Sequence, residues 1–512
     1  MMRPILLVLL SSLLQVLCFP LAGPLPTWRA SLAWLAFAPL LWTLLPVRAL
    51  RLRTAGLYGY SCGVLWYLGT CYWVYGTMHV YGGLPAPVAL LALLLMCLYL
   101  ALYHALFAVL LALVARQGRV AALVVSPLLW VAVELARARI TSFPWNLLGY
   151  TQMDNALLTR LAPCTGVYGI SLVVFAASAA FAGALVMPRQ RAPARLALYA
   201  ALLVAACQYL GHALRPTLRV GAEKAVLLQP NLNVGSGPAL SAVALAASGA
   251  SLTLQAAASD DVATRMVLWP ESPSPFQTDR ADFTAVVAKL ATDLAAPVVA
   301  GAVGVEGTPG GPAAKTYNSA VLFLPVAGMA TRYDKIHLVP FGEFVPYADL
   351  FRFASGLTQA VGTFDRGVQR LPLQAGQHGY GVFLCYESIF GDEVRRFVGN
   401  GAEVLVNLSD DGWYGDSSAP FQHINMARMR AIENRRWLLR DTNNGITASI
   451  DPDGRVVETM PRNRRGAVVV HFDFLHGFTF YTLHGDVFAY SCAAAALCSV
   501  VLAALRSSRQ RQ

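Results

Sequence analysis

The sequence predicts a two-part protein: a polytopic α-helical membrane domain joined to an α/β layered domain. Three observations carry that reading. Mean hydropathy is +0.52 and only 13% of the 512 residues are charged, which is too apolar for a soluble chain of this length. Apolar runs of about 20 residues, the length that crosses a bilayer, recur through residues 1–212 and once more at 486–505. Between them, over 220–475, short Val- and Leu-rich runs alternate with Ala-rich stretches. That is the pattern of buried strands interleaved with helices.

In order along the chain, apolar runs lie near 4–22, 27–46, 55–79, 86–114, 120–136, 165–187, 196–212 and 486–505. They predict seven spans before the large domain and an eighth after it. Arg3 precedes the first, whose apolar stretch continues to Pro20 without a small-x-small cleavage site, so it reads as an uncleaved anchor. The fifth is the least apolar, because Glu134 lies near its end and Arg137 and Arg139 follow. The segment Ile140–Tyr150 is too polar to span, and its aromatic residues suit a membrane interface.

Arginines mark alternate span ends: Arg3; Arg48, Arg51 and Arg53; Arg116 and Arg119; Arg189, Arg191 and Arg195; Arg506, Arg509 and Arg511. Positive charge stays on the cytoplasmic side. Both termini, including a 506–512 tail, are therefore expected in the cytoplasm, and the 220–475 domain outside, which in a bacterium is the periplasm. The net charge of +11 does not indicate nucleic acid. Residues 213–485 carry 23 Lys and Arg against 25 Asp and Glu, so the excess belongs to the membrane loops; a nucleic-acid reader needs its basic patch on a soluble face.

In the large domain, 225–229, 266–269, 297–301, 319–323, 381–384 and 404–407 read as buried strands, and 282–294 and 422–439 as helices. No internal repeat is evident.

Three of these runs end in chemistry. Cys385, the only cysteine in 213–485, follows the apolar run Gly381–Leu384. Glu271 ends Val267-Leu268-Trp269-Pro270-Glu271, and Lys335 precedes a loop punctuated by Pro340 and Gly342. A thiol is mostly protonated at neutral pH, so it needs a base to become a nucleophile and a cation to hold the oxyanion it creates. Glu271 and Lys335 supply those two groups. No set of His, Cys and carboxylates has metal-ligand spacing, and no cofactor is implied.

These motifs resemble the Glu-Lys-Cys set of the nitrilase, or carbon–nitrogen hydrolase, superfamily, and more narrowly its membrane-embedded apolipoprotein N-acyltransferase branch. The resemblance rests on Trp269-Pro270-Glu271-Ser272, the stretch from Tyr333-Asp334-Lys335 through Pro346, Cys385-Tyr386-Glu387-Ser388, Asn407–Gly415, Met426–Ala431 and Thr442-Asn443-Asn444-Gly445. It implies a four-layer α-β-β-α sandwich and a catalytic set of Glu271, Lys335 and Cys385. Glu343, Tyr386 and Glu387 are implied as supporting residues, with the Tyr386 N–H beside Lys335 as an oxyanion donor. Phe341, Phe344 and Pro346 are expected in a lid that handles acyl chains, and Trp413 and Tyr414 either in the core or along the acyl path. The implied reaction is ping-pong transfer of an acyl chain from a phospholipid, through a Cys385 thioester, to the N-terminal diacylglyceryl-cysteine of an apolipoprotein, by a monomer. One departure stands out. The family's Lys-Trp pair after the first strand is absent, since Asn233-Val234-Gly235-Ser236-Gly237 follows Asn231. Two alternatives stay open: a membrane-tethered amidase or nitrilase acting on a small substrate, and a transporter or scaffold carrying an inactive enzyme domain.

Overall fold

The computed structural model describes residues 2–187, 191–213, 221–234, 241–259, 262–271, 276–307, 314–344 and 364–509. Among them, five helices are long and apolar enough to cross a membrane: Ala86–Gln117, Arg119–Ile140, Val167–Val186, Ala194–Ala213 and Val487–Arg506. The sequence predicted eight, and the three others differ for local reasons. Helix Met2–Leu17 has 16 residues, about 24 Å at 1.5 Å per residue, short of a bilayer core. The run at 27–46 is not one helix; it divides into Thr27–Leu32 and Ala38–Leu44. Pro26 and Pro39 sit at the starts of these two pieces, where a missing N–H costs little. The run at 55–79 is helical from Leu52 to Cys71, is diluted by Gly, Ser and Thr, and then breaks into shorter turns.

Small residues let these helices approach closely. A Cβ at Gly59 would stand 2.5 Å from both the Ala108 side chain and the His104 carbonyl of the facing helix; only glycine admits that contact. Phe37, Trp130 and Phe175 fill the centre, with Trp130 and Phe175 stacked at 5.4 Å.

Among the described residues the large domain contains twelve strands in two six-stranded sheets. The first comprises β1 (Glu223–Gln229), β2 (Thr264–Trp269), β3 (Val298–Glu306), β4 (Lys315–Leu324), β5 (Gly328–Asp334) and β12 (Gly466–Phe472), in the order β12-β1-β2-β3-β4-β5. The second comprises β6 (Leu373–Ala375), β7 (His378–Leu384), β8 (Val404–Ser409), β9 (Leu438–Thr442), β10 (Thr447–Ile450) and β11 (Val456–Met460), in the order β11-β10-β9-β8-β7-β6. The central strands β1-β2-β3 and β7-β8-β9 are parallel.

Strand alternation assigns the layers. In the first sheet Ala225, Leu227, Met266, Leu268 and Leu322 face the second sheet, packing in one cluster with Val382, Leu384, Leu405 and Leu438. Their neighbours Val226, Leu228, Val267, Trp269 and Phe323 face outward onto Phe283, Val287 and Leu290 of helix Ala281–Leu294. Helices Gly391–Gly399 and Ala419–Asn434 lie with the second sheet. The result is the α-β-β-α nitrilase-like sandwich.

One predicted helix is corrected. The stretch 422–439 is helical only to Asn434, after which Arg435 turns left-handed at φ 48° and Leu438 and Leu439 enter β9. The apolar run Trp437-Leu438-Leu439 suits either element, and pairing with β8 makes it a strand.

The segment 140–150 is not a lipid-facing anchor. Trp145, Leu147, Leu148 and Tyr150 are buried. Trp145 Nε1 donates to Gln422 Oε1 at 2.7 Å, and Gln422 Nε2 donates to the carbonyls of Pro20 and Thr70, each at 3.2 Å. Arg139 pairs with Asp392 at 3.1 Å and Asp486 at 2.5 Å. The two domains are thus pinned together by polar contacts, those of Gln422 fully buried.

Candidate active site

Parallel strands place their C-terminal ends together, and ligands gather outside those ends. Cys385 follows β7 directly, Asp410 follows β8 directly, Glu271 comes two residues after β2, and Lys335 follows β5. The lone cysteine and the two charged residues singled out from sequence therefore arrive at one place from three strands.

Lys335 organises the cluster. Its side chain is 1% exposed, with Nζ 3.0 Å from Glu271 Oε1 and 2.7 Å from Glu343 Oε1. Asn318 Nδ2 bridges the same two oxygens at 2.7 Å each. The remaining carboxylate oxygens are also used: Glu271 Oε2 accepts the Asp410 N–H at 3.0 Å, and Glu343 Oε2 the Val339 N–H at 2.8 Å. Burial disfavours the Lys335 charge, but Glu271 and Glu343 outweigh it and hold the amine well above its usual pKa. It is a fixed cation.

Cys385 opens a one-turn helix, Cys385–Ile389, with φ at +44°. A non-glycine residue there stores about 1–2 kcal/mol of strain, sustained only where neighbouring bonds over-determine it. Burial pushes the thiol pKa up and Glu271 adds to that, while Lys335 opposes. The resting group is a thiol, and a base is required to activate it.

Glu387 ties the Cys385 turn to the lysine loop. Its Oε1 accepts from Tyr333 Oη at 2.8 Å, Ile336 N at 2.8 Å and His337 N at 3.0 Å, and its Oε2 accepts from Leu384 N at 2.7 Å. Burial raises its pKa, and the Leu384 and His337 N–H groups pull it back.

The remaining predicted residues fall around this centre. Phe341 and Phe344 form a tight turn, the Phe341 N–H donating to the Phe344 carbonyl at 2.7 Å, and Arg366 lies 4.6 Å over the Phe344 ring. Pro346 lies outside the described residues. Tyr414 packs against Trp73, Trp145 and His423 at 5.1, 6.0 and 5.7 Å. The Trp413 carbonyl accepts from Thr77 Oγ1 at 2.9 Å. Both therefore sit at the junction with the membrane domain. Tyr386 Oη donates to the Ser142 carbonyl of that domain at 3.2 Å.

Sequence reasoning missed Asn318, Asp410, Asp411, His423 and Arg440. Asp410 and Asp411 lay inside a quoted motif without a role. Asp410 is buried, its pKa pushed up to about 8 by burial and by Glu271. Asp411 is held well below the usual range: burial works against its charge, but Arg440 and His423 prevail. Asn318 and Arg440 carry no sequence signal, since each is a single polar residue in a strand whose partners come from other elements. Among the described residues no group of three or more His, Cys, Asp or Glu could hold a metal ion.

Family models match both parts of the chain: residues 11–180 fit the apolipoprotein N-acyltransferase N-terminal domain, and residues 204–475 fit carbon–nitrogen hydrolase. An apolipoprotein N-acyltransferase of Geobacter metallireducens is 36% identical over 100% of this chain and 97% of its own. One from Ralstonia nicotianae is 33% identical over 96% and 94%. Among solved structures, Nit3 of Saccharomyces cerevisiae, a nitrilase-superfamily member, aligns at a TM-score of 0.39 and 18% identity over 49% of this chain and 90% of that one. With both domain models in series and full-length relatives above 30% identity, the chain belongs to the apolipoprotein N-acyltransferase family.

Proposed function

We propose that this protein transfers a fatty acyl chain from a phospholipid to the α-amino group of a lipoprotein's N-terminal diacylglyceryl-cysteine, through a thioester on Cys385. The observation that carries the reading is the buried Lys335 ammonium, paired with Glu271 and Glu343 beside Cys385, whose backbone is held at φ +44°. Glu271 takes the Cys385 proton. The thiolate adds to the ester carbonyl, and Lys335 with the Tyr386 N–H stabilises the resulting oxyanion. Collapse breaks the ester C–O bond, Glu271 returns its proton to the leaving oxygen, and lysophospholipid departs. The acceptor amine then adds to the thioester, Glu271 takes a proton from it, and the thiolate is expelled as the amide forms. Lysophospholipid leaves before the amine reacts with the acyl-enzyme, so the kinetics are ping-pong.

Glu343 holds Lys335 in place; of the two carboxylates on Nζ, Glu271 is the one whose charge acts on the Cys385 thiol. The turn through Phe341 and Phe344 lies next to Lys335 and serves as a lid over the acyl chain. The spans and the family kinship favour a lipid donor over a small amide, and the arginine pattern puts the catalytic domain in the periplasm with both termini in the cytoplasm. Every residue of the set comes from one chain, so a monomer suffices.

Intact-mass analysis of the full-length protein after incubation with phospholipid tests the reading. Wild type and Glu343→Gln should gain an acyl adduct on Cys385, slowly in the variant, whereas Glu271→Gln should gain none. General-base removal typically costs ~10²–10⁴-fold in rate. Normal acylation of Glu271→Gln alongside none in Glu343→Gln would exchange the two roles. No adduct on wild type, together with release of ammonia from small amides, would favour a hydrolase instead.

A further inference from the structure

His423, within helix Ala419–Asn434, has an exposure of 0%. Its Nε2 lies 3.0 Å from the carbonyl oxygen of Cys385. A carbonyl only accepts, so Nε2 carries the proton. On the other side of the ring, Nδ1 lies 3.0 Å from Asp411 Oδ1 and 3.1 Å from Arg440 Nη2. Arg440 Nη2 in turn holds both Asp411 oxygens at 2.9 Å. Burial and Arg440 push the His423 pKa down, while Asp411 and the Cys385 carbonyl push it up; in either charge state Nε2 keeps its proton, because its partner only accepts. The far edge of the ring is therefore held by Asp411 and Arg440, which are themselves paired and buried.

The bond to Cys385 has a geometric consequence. A trans peptide is planar, with its C=O and N–H on opposite sides, and the chain has no cis peptide among the described residues. Holding the Cys385 carbonyl on His423 turns the Tyr386 N–H the opposite way, and among the described residues nothing accepts that N–H. The same bond restrains Cys385 at φ +44°, a conformation that needs such restraint. It also polarises the amide, making the Tyr386 N–H a stronger donor. The ring's plane is fixed from the membrane side: Trp145 stacks on it at 5.7 Å and 22°, and Arg137 Nη1 donates to the Trp145 carbonyl at 2.7 Å.

We propose that His423 is a positioning residue for acyl transfer: its Nε2–H holds the Cys385–Tyr386 peptide so that the Tyr386 N–H faces the oxyanion formed on Cys385. Asp411 and Arg440 hold the opposite edge of the ring and Trp145 its plane. The proposal rests on the thioester reading above. His423 itself neither takes nor gives a proton in the reaction.

The test uses full-length protein in detergent and a phospholipid whose acyl carbonyl carries ¹³C, without amine acceptor. In His423→Gln the side-chain amide nitrogen reaches about as far as Nε2; in His423→Asn it is one methylene shorter and cannot reach the Cys385 carbonyl. Wild type and His423→Gln should acylate within about tenfold of each other. His423→Asn should acylate about 10²-fold more slowly, on the scale of losing one oxyanion donor, with the phospholipid KM little changed. The infrared band of the labelled thioester carbonyl should lie higher in His423→Asn, where the carbonyl has lost a hydrogen bond, and return in His423→Gln. A merely structural histidine would not produce that band shift or its recovery. Wild-type acylation by His423→Asn, or equal bands in all three proteins, would overturn the proposal. A failure of wild type to form any adduct would instead sink the thioester reading beneath it.

Discussion

Replacing Glu387 with Gln changes one oxygen to an NH₂ and removes one charge, and the geometry dictates where the cost falls. Every partner of this carboxylate is a donor: Tyr333 Oη across both oxygens, Ile336 N and His337 N on Oε1, Leu384 N on Oε2. The amide oxygen of Gln can keep the Oε1 set. Its NH₂ must then face the Leu384 N–H at the present 2.7 Å separation, donor against donor. The lost charge-assisted bond is worth ~1.5–3 kcal/mol and a buried orphan N–H ~1–3 kcal/mol. Relief of the buried charge offsets part of this, because burial already raises the Glu387 pKa, leaving a net destabilisation of ~2–4 kcal/mol. The same change loosens the link between the Cys385 turn and the Lys335 loop, so acylation should slow together with stability. Urea unfolding of the detergent-solubilised variant against wild type measures the first effect, and hydrogen exchange at the Leu384 and Ile336 amides localises it. If Glu387→Gln unfolded within 0.5 kcal/mol of wild type, a threshold set by the spread of neutral substitutions, and acylated normally, Glu387 would be protonated in the native protein and the carboxylate argument would be wrong.

Asp410 gives the protein a pH dependence of known sign. Its native pKa of about 8, raised by burial and Glu271, lies above the ordinary ~3.9. Its contribution to stability is therefore full below pH ~4 and is lost as pH rises through about 8. Asp410→Asn should flatten the stability profile over that interval and exceed wild type at its alkaline end; parallel profiles in a denaturation series would refute this. For topology, a reporter fused after Arg511 should read out in the cytoplasm and a tag inserted at Gly310 should be labelled from outside. Finding both on one side would mean an odd number of crossings between them has been missed or added.

Much of the α/β domain was legible because its strands are short, apolar and β-branched, and each ends in a recognisable polar turn. The runs at 225–229, 266–269, 319–323 and 381–384 all became strands, while 438–442, 447–450, 456–460 and 466–472 escaped notice. Those four include exposed or polar positions such as Arg440, Thr447, Glu458 and His471, so no continuous apolar signal marks them. At the start of the membrane half, hydropathy registers an apolar run at 27–46 but not the prolines and turns that divide it into two helices.

The sequence by itself determined the chemistry on offer. One cysteine in residues 213–485, with a carboxylate and a lysine at or beside strand ends, offers a thiol, a carboxylate and an ammonium to one cleft, since residue type sets reactivity and a strand's end is where a side chain meets a cleft. Only the tertiary structure decided how those groups are held. Lys335 touches Glu271 from 64 residues away, His423 reaches the Cys385 carbonyl across 38, and Trp145 of the membrane domain meets Gln422 across 277. Contacts at such separations depend on which strand lies beside which and on how the two domains dock. No local pattern encodes either, because each is fixed by the packing of many side chains at once.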